Sequence, residues 1–431
     1  MKVLVLGGYG LIGSSVVTAL REAGHDVAGL GRSVAAARRR RPDVHWIAAD
    51  LSTLTTPGNW KAIIDGFDAV VNCAGVLQES PRDDVAKIQR DAMIALFSAC
   101  ETAGVGKVVQ ISAVGAEPGA ETRFMATKGQ ADDALKASSL DWTILRPALV
   151  ISPTAYGATG MIRALAAVPL LVPLAGAGSE VRTVDVADVG AAVVACLAGD
   201  VPTRTDYDLA GEHPQTLADV VVAFRGWLGF PSAPVLRLPD WLGTVAFRFG
   251  DLLGALGWRT PMRSTAFREV SAGIRGDPAA WIAAGGRRPR TLQETLARIP
   301  STVQERWYAR MWLMRPLAIG TLSAFWVVSG LVGLISLSSA KDVLTDRGMA
   351  DGTALIAVLA GVVIDLALGG AVLVRRLHTT ALAGMILVTT LYLVAGSVIA
   401  PDLWLEPLGA FVKTVPAAVL ALVLLAVSGE R

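Results

Sequence analysis

The sequence predicts two architectures in one chain: an α/β, doubly wound parallel sheet with a small substrate-cleft subdomain, then an all-α bundle of four transmembrane helices. Three observations carry this. From Lys2 to about Val150, short runs of Val, Ile and Leu alternate with helical stretches. A glycine cluster between Gly7 and Gly13 directly follows the first of those runs. From Pro316 onward, long stretches carry almost no charge, in a 431-residue chain that is 53% hydrophobic and 18% charged.

The expected strands run from Val3 to Leu6, Val27 to Leu30, His45 to Ala48, Ala69 to Asn72, Val108 to Ile111 and Trp142 to Leu145. Parallel strands are covered on both faces, so continuous apolar runs are what they show. Lys2 and the apolar residues after it resemble the start of a secretory leader. Glycines break that run and no small-residue cleavage site follows, so a buried first strand is the reading. Residues 1–150 are expected to form a dinucleotide-binding domain, 151–311 the substrate-cleft portion and 312–431 the membrane domain.

A net charge of +2, from 39 Lys and Arg against 37 Asp and Glu, gives no global field for a nucleic-acid partner. Arg38, Arg39, Arg40 and Arg41 read as a solvated loop or helix end. The three cysteines, Cys73, Cys100 and Cys196, are widely spaced in apolar surroundings. They read as buried thiols in a reducing compartment, and no metal site is expected.

The turn after the first strand reads Gly7-Gly8-Tyr9-Gly10-Leu11-Ile12-Gly13, which satisfies both GxGxxG and GxxGxxG. Glycines permit a tight turn whose backbone N–H groups approach a pyrophosphate at the N-terminus of the following helix. The second strand ends Gly31-Arg32-Ser33, where an NAD-preferring fold would place an acidic residue. A guanidinium suits the 2′-phosphate of NADP, so NADP is expected over NAD.

Further short motifs follow the strands: Ala49-Asp50-Leu51, Asn72-Cys73-Ala74-Gly75, Ile111-Ser112-Ala113, Leu145-Arg146-Pro147 and, later, Val184-Asp185-Val186-Ala187-Asp188-Val189. Together with the glycines they resemble the extended and atypical short-chain dehydrogenases/reductases, in particular the branch related to the 39 kDa subunit of respiratory complex I. The resemblance covers roughly residues 1–304 and implies a Rossmann-type sheet. It also implies that Asp50 and Leu51 meet the adenine, that Cys73, Ala74 and Gly75 lie on the nicotinamide side, and that Pro147 meets the carboxamide. The family's catalytic pattern is YxxxK with a Ser, yet here the stretch is Phe124-Met125-Ala126-Thr127-Lys128. Ser112 and Lys128 remain as catalytic or cofactor-anchoring candidates, and the phenolic proton donor is absent. Tyr9, Ser112, Tyr156 or a bound water are the substitutes the sequence offers.

In the second half, Pro316 to Ala340 and Leu377 to Pro401 carry no charge and Gly352 to Val374 carries one. A fourth apolar stretch runs from Leu403 to Gly429, interrupted by Glu406 and Lys413. Each is long enough to cross about 30 Å of hydrocarbon. Arg306, Arg310, Arg315, Arg375, Arg376 and Arg431 fall on one side, against Lys341 and Arg347 on the other. That bias predicts a multi-pass inner-membrane protein with four spans and with its N-terminal domain and C-terminus in the cytoplasm. This tail, with Pro407-Leu408-Gly409, Lys413 and Pro416, resembles the DoxX-like membrane domain over about residues 315–431. Asp365 and Lys413 are expected to pair inside the membrane, and the apolar stretch Trp241 to Trp258 is expected to cover the cleft or lie on the membrane surface.

Two functions are therefore open. One is an NAD(P)(H)-dependent oxidoreductase acting on an apolar, membrane-dissolved substrate of quinone or isoprenoid type. The other is a non-catalytic NADPH-binding sensor or assembly subunit of a membrane complex.

Overall fold

The computed structural model describes residues 1–80, 83–258, 260–405 and 409–428. Their Cα positions divide into two units: residues 1–251 with 260–309, and residues 252–259 with 310–431.

The first unit is built on a seven-stranded, all-parallel sheet. Its first half runs β1 (Lys2–Leu6), α1 (Leu11–Glu22), β2 (Asp26–Gly31), α2 (Val34–Arg40), β3 (His45–Ala48), α3 (Pro57–Ile64), β4 (Ala69–Asn72), α4 (Ala92–Ala103), β5 (Lys107–Ile111), α5 (Arg123–Lys136) and β6 (Asp141–Pro147). The expected strands all occur, each starting at most one residue before its apolar run. Alternation splits the side chains between two faces. Val3 and Val5 join a core with Val16, Val17 and Leu20 of α1, while Leu4 and Leu6 join another with Trp60 and Ile64 of α3 and with Leu96 of α4.

The chain continues through β7 (Leu149–Ile151), α6 (Gly157–Ala166), β8 (Val172–Ala175), β9 (Glu180–Val181), β10 (Thr183–Asp185), α7 (Val186–Ala198), β11 (Thr205–Leu209), β12 (Gln215–Thr216), α8 (Leu217–Trp227), β13 (Val235–Leu238), α9 (Asp240–Ala255), α10 (Ser264–Ala272), α11 (Ala279–Ala283) and α12 (Leu292–Arg298). The strand order β3-β2-β1-β4-β5-β6-β11 reverses direction between β1 and β4. A crevice at the C-terminal ends of strands on either side of such a reversal is where doubly wound sheets take ligands. Three short strand pairs, β7 with β10, β8 with β13 and β9 with β12, build the region after β6 around a third core that includes Ile162, Val172 and Phe224.

The helices that follow are α13 (Val303–Ile335), α14 (Leu337–Thr345), α15 (Asp351–Ala371), α16 (His378–Ile399) and α17 (Ala410–Ala426). Most of them fall in the second unit. Among the described residues three helices, α13, α15 and α16, are long and apolar enough to cross a membrane. The expected fourth span is therefore corrected to a shorter helix. Pro401–Trp404 forms a 3₁₀ turn and Gly409 takes a left-handed backbone, φ 65°, so helix begins only at Ala410 and runs 17 residues. Glu406, Pro407, Leu408, Gly429 and Arg431, named above, lie outside the described residues.

Candidate functional site: the nucleotide crevice

The crevice begins with a cradle of backbone. Gly7 has φ +67° and its amide donates to Leu30 O at 2.9 Å, while Gly10 N returns to Gly7 O at 2.8 Å. A Cβ on Gly13 would stand 2.2 Å from Gly7 O, so only glycine lets α1 start this close to the turn. A Cβ on Gly7 would come within 3.0 Å of Ala74 Cα, which places the loops after β1 and β4 against each other at the reversal point. Gly10 caps α1 with no side-chain acceptor and the first turn holds no acidic residue. The amides of Leu11 and Ile12 thus face outward at a positive helix end, the arrangement that receives a pyrophosphate. The fit of a dinucleotide to these residues rests on that cradle.

At the β2 end, Tyr9 OH accepts from Ser33 N at 3.2 Å and the Tyr9 ring stands over Gly31. The Arg32 guanidinium is bound to Asp83, a nearly buried carboxylate 51 residues away. Asp50 turns its carboxylate onto Ser52 N and Oγ, at 3.0 and 2.9 Å, and so caps the 3₁₀ turn that carries Leu51. These residues line the ends of β1, β2 and β3, on the half of the sheet opposite β5 and β6.

On that second half, Asn72 Nδ2 donates to Gln110 Oε1 at 2.8 Å and its Oδ1 accepts from Ala74 N at 2.9 Å. Gln89, on a π-type turn leading into α4, accepts from Val76 N at 3.0 Å and donates to Thr127 Oγ1 at 3.0 Å. The segment Cys73-Ala74-Gly75 is therefore tied to α5. Lys128 of α5 reaches Ile111 O at 2.9 Å, beside Ser112, with its ammonium 5.7 Å from the Phe124 ring. Ser112 Oγ donates to Asp132 Oδ2 at 2.5 Å. Asp132 lies one helical turn beyond Lys128 and is 1% exposed, and its Oδ1 has no partner. Burial lowers the Lys128 pKa, against the opposing pull of Asp132 and Cys73. Burial also raises that of Asp132, outweighing the Ser112 hydrogen bond, and pushes the Cys73 thiol up to about 12. Pro147 ends β6 and is buried.

The structure thus gathers Ser112, Lys128, Cys73, Ala74 and Gly75 at one end of the crevice and the glycine loop, Tyr9, Arg32, Asp50 and Leu51 at the other. Tyr156 is 58% exposed and caps the start of α6. Asp132, Gln89 and Asp83 are additions to the sequence reading. Only Asp132 left a signal there, its i+4 spacing from Lys128 on a helix. The later motif also acquires a partner: Arg290 bonds both Asp185, at 3.3 Å, and Asp188. Among the described residues no group of three His, Cys, Asp or Glu side chains is placed to hold a metal.

In the second unit, Asp365 of α15 accepts from Ser329 Oγ of α13 at 2.8 Å and from Tyr392 OH of α16 at 3.5 Å. Two hydroxyls satisfy it where Lys413 was expected. Among the described residues no ion pair joins Asp365 to Lys413, because neighbouring helices already bring donors to the carboxylate.

Residues 7–200 match the NAD(P)H-binding family model and residues 323–422 that of the DoxX-like family. The chain joins an NAD(P)H-binding Rossmann domain to a DoxX-like domain. The chain is 27% identical over 229 residues to an NAD(P)H azoreductase of Xenophilus azovorans, across 53% of this chain and 74% of that one. It is 23% identical over 242 residues to a ceramide reductase of Caulobacter vibrioides, across 55% and 74%. Among solved structures, the UDP-glucose 4-epimerase of Thermus thermophilus, in complex with NAD, superposes with a TM-score of 0.52 at 21% identity. That match covers 71% of this chain and 99% of the epimerase, a likeness of fold.

Proposed function

We propose that the chain is a membrane-anchored, NADP(H)-dependent reductase of an apolar substrate that dissolves in the bilayer. The observation that carries this reading is the convergence of the glycine cradle with Lys128 and Ser112 on the one crevice at the sheet's reversal point. Two relatives whose names record reduction, of azo compounds and of ceramide, support the reaction class. Of these, the ceramide reductase also supports a lipid-like substrate, of which a quinone or isoprenoid would be another instance.

In this reading the bound cofactor supplies a hydride. Leu11 and Ile12 amides hold its pyrophosphate, Asp50 and Leu51 flank its adenine, and Arg32 selects the 2′-phosphate in competition with Asp83. Lys128 donates to the ribose beside Cys73, Ala74 and Gly75, and Pro147 meets the carboxamide. Ser112 orients the substrate oxygen or nitrogen. Residues 1–150 form the cofactor domain, 151–311 the cleft and 312–431 a membrane domain. Arg306, Arg310, Arg315, Arg375 and Arg376 put the cofactor domain in the cytoplasm, at the inner membrane.

A second reading, a non-catalytic NADPH sensor or assembly subunit, is favoured by Phe124 in the tyrosine position and by a Ser112 hydroxyl already committed to Asp132. The two are separated by following NADPH oxidation by the detergent-solubilised protein with azo, quinone and keto-lipid substrates. Turnover with any of them supports the reductase. Saturable NADPH binding without turnover overturns it in favour of the sensor.

A further inference from the structure

Helix α9 presents an apolar stripe that is exposed among the described residues. Trp241, Val245, Phe249 and Leu252 are 64, 59, 61 and 58% exposed. At 3.6 residues per turn their spacing of four, four and three places them within an arc of about 80°. The opposite side of α9 is glycine: Gly243 lies against Ala175 and Phe267, and Gly250 against Met262. The helix is thus packed closely on one face and bare on the other. Arg248 flanks the bare stripe and is exposed, while Asp251 is paired with Arg263 at 2.9 Å and Ser264.

The occupant of the stripe follows from where the helix leads. From Leu252 through Trp258 the chain belongs to the second unit. There Leu256 O accepts from Arg375 N at 3.1 Å, and Trp258 Nε1 donates to Leu373 O at 2.6 Å. Trp258 also meets His378 edge-on, with ring centroids 5.0 Å apart, and carries the Arg315 and Arg375 guanidiniums over its ring at 5.8 and 5.6 Å. Leu373 and Arg375 lie in the turn between α15 and α16, where two long apolar helices both end. A turn of that kind sits at a membrane boundary. The C-terminus of α9 is therefore held at that boundary by its own continuation.

We propose that α9 is an interfacial helix whose Trp241-Val245-Phe249-Leu252 stripe rests in the lipid surface. Its indole and aliphatic side chains enter the headgroup boundary, and Arg248 reaches the lipid phosphates beside them. The inference rests on the membrane anchoring of the previous section.

The test uses the full chain reconstituted in phosphatidylcholine and phosphatidylglycerol vesicles. Nitroxide labels are placed at Val245→Cys and Phe249→Cys, with Val363→Cys on α15 as lipid reference and Lys61→Cys on α3 as water reference. Signal from Cys73, Cys100 and Cys196, none of them exposed, is subtracted using the unsubstituted chain. Each labelled protein is first checked for NADPH binding. The expected result is that dissolved oxygen relaxes the 245 and 249 labels more than a nickel chelate does, as it does at 363. Labels at 245 and 249 that behave like the one at 61 overturn the proposal, and so do labels shielded from both reagents, which would mean that protein covers the stripe. A water-accessible label at 363 would instead overturn the membrane anchoring itself.

Discussion

The two units solve the same packing problem against different surroundings. In the Rossmann unit the largest fully buried side chains are Trp60, Trp281, Phe224 and leucines of the strands, with buried polar groups such as Lys128 and Asp132 gathered at the crevice. The helical unit keeps a small apolar core around Leu322, Leu382 and Met385, yet its outward face is apolar as well. Ile335, Val398, Ile356 and Val363 point outward and are mostly exposed, whereas Ser323, Asp365, His378 and Thr389 are buried. Ser323 Oγ donates to Gly369 O at 2.7 Å, and His378 joins Val372 O and Ser428 Oγ at 2.8 and 3.1 Å. Apolar burial drives association in water but is of no use between helices already in hydrocarbon, where close approach and hydrogen bonds take over. The same substitution should therefore have different consequences in the two units.

The largest effect is expected at the Lys128 end of the first unit's crevice. Phe124→Tyr restores a phenolic donor beside Lys128, and if the protein reduces carbonyl substrates its turnover should rise by about 10²-fold with NADPH affinity unchanged. Steady-state rates with titration of NADPH check this, and an unchanged rate would favour the sensor reading. Next comes the cradle. Gly13→Val drives side-chain carbon into Gly7 O, an overpacking cost to the fold of about 2 kcal/mol that also displaces the cradle, so NADPH binding should weaken. Calorimetry measures the loss. The helical unit should insert in membranes as before, which would sharpen the independence of the two units.

The sheet was readable because each strand is a run of β-branched or leucine residues with a punctuating loop, and because the glycine spacing has one stereochemical use. Strand β11, Thr-Asp-Tyr-Asp-Leu, escaped because an edge strand needs only Tyr207 and Leu209 on its inner face. Contacts between residues far apart in sequence left no local signal. Nothing near Arg32 announces Asp83, and nothing near Asp365 announces Ser329 and Tyr392, which lie 36 and 27 residues away on other helices. Depth along a helix follows from residue spacing but facing direction does not, so spacing alone points Asp365 at Lys413 while the hydroxyls of Ser329 and Tyr392 meet it. Hydropathy does not register the left-handed turn at Gly409, so the apolar stretch from Leu403 reads longer than the helix it holds.

Two smaller effects probe charged residues of the first unit. Arg32→Ala should remove about tenfold of any NADPH-over-NADH preference in binding, and equal affinities in the unsubstituted protein would refute that role for Arg32. Asp132→Asn tests the buried carboxylate. Its folded pKa is raised above the unfolded value, so the folded state holds the proton more tightly. Stability then falls as pH rises from the unfolded pKa through the folded one. Asparagine does not ionise and still accepts from Ser112, so the variant should be about 1 kcal/mol more stable at pH 7, with the gain vanishing below about pH 4. Denaturation of the variant across pH decides it; a loss of stability at pH 7 would show that the attraction of Asp132 to Lys128 and Arg146 outweighs its burial.

The smallest effect separates two accounts of the helical unit. Asp365 is buried between α13, α15 and α16, and each of the outer two supplies it with a hydroxyl. An interhelical hydrogen bond in a membrane contributes about 0.6 kcal/mol on average, because the separated helices also find polar partners. Ser329→Ala should therefore destabilise the helical unit by about that amount, read as a small shift in unfolding by a denaturing detergent. Tyr392→Phe, which removes the longer 3.5 Å bond, should cost less. Lys413→Ala should change nothing through Asp365, since the carboxylate keeps both hydroxyls. A Lys413→Ala effect larger than that of Ser329→Ala, abolished when Asp365→Asn is also present, would reinstate the ion pair and displace the hydroxyl cluster as what holds these three helices in register.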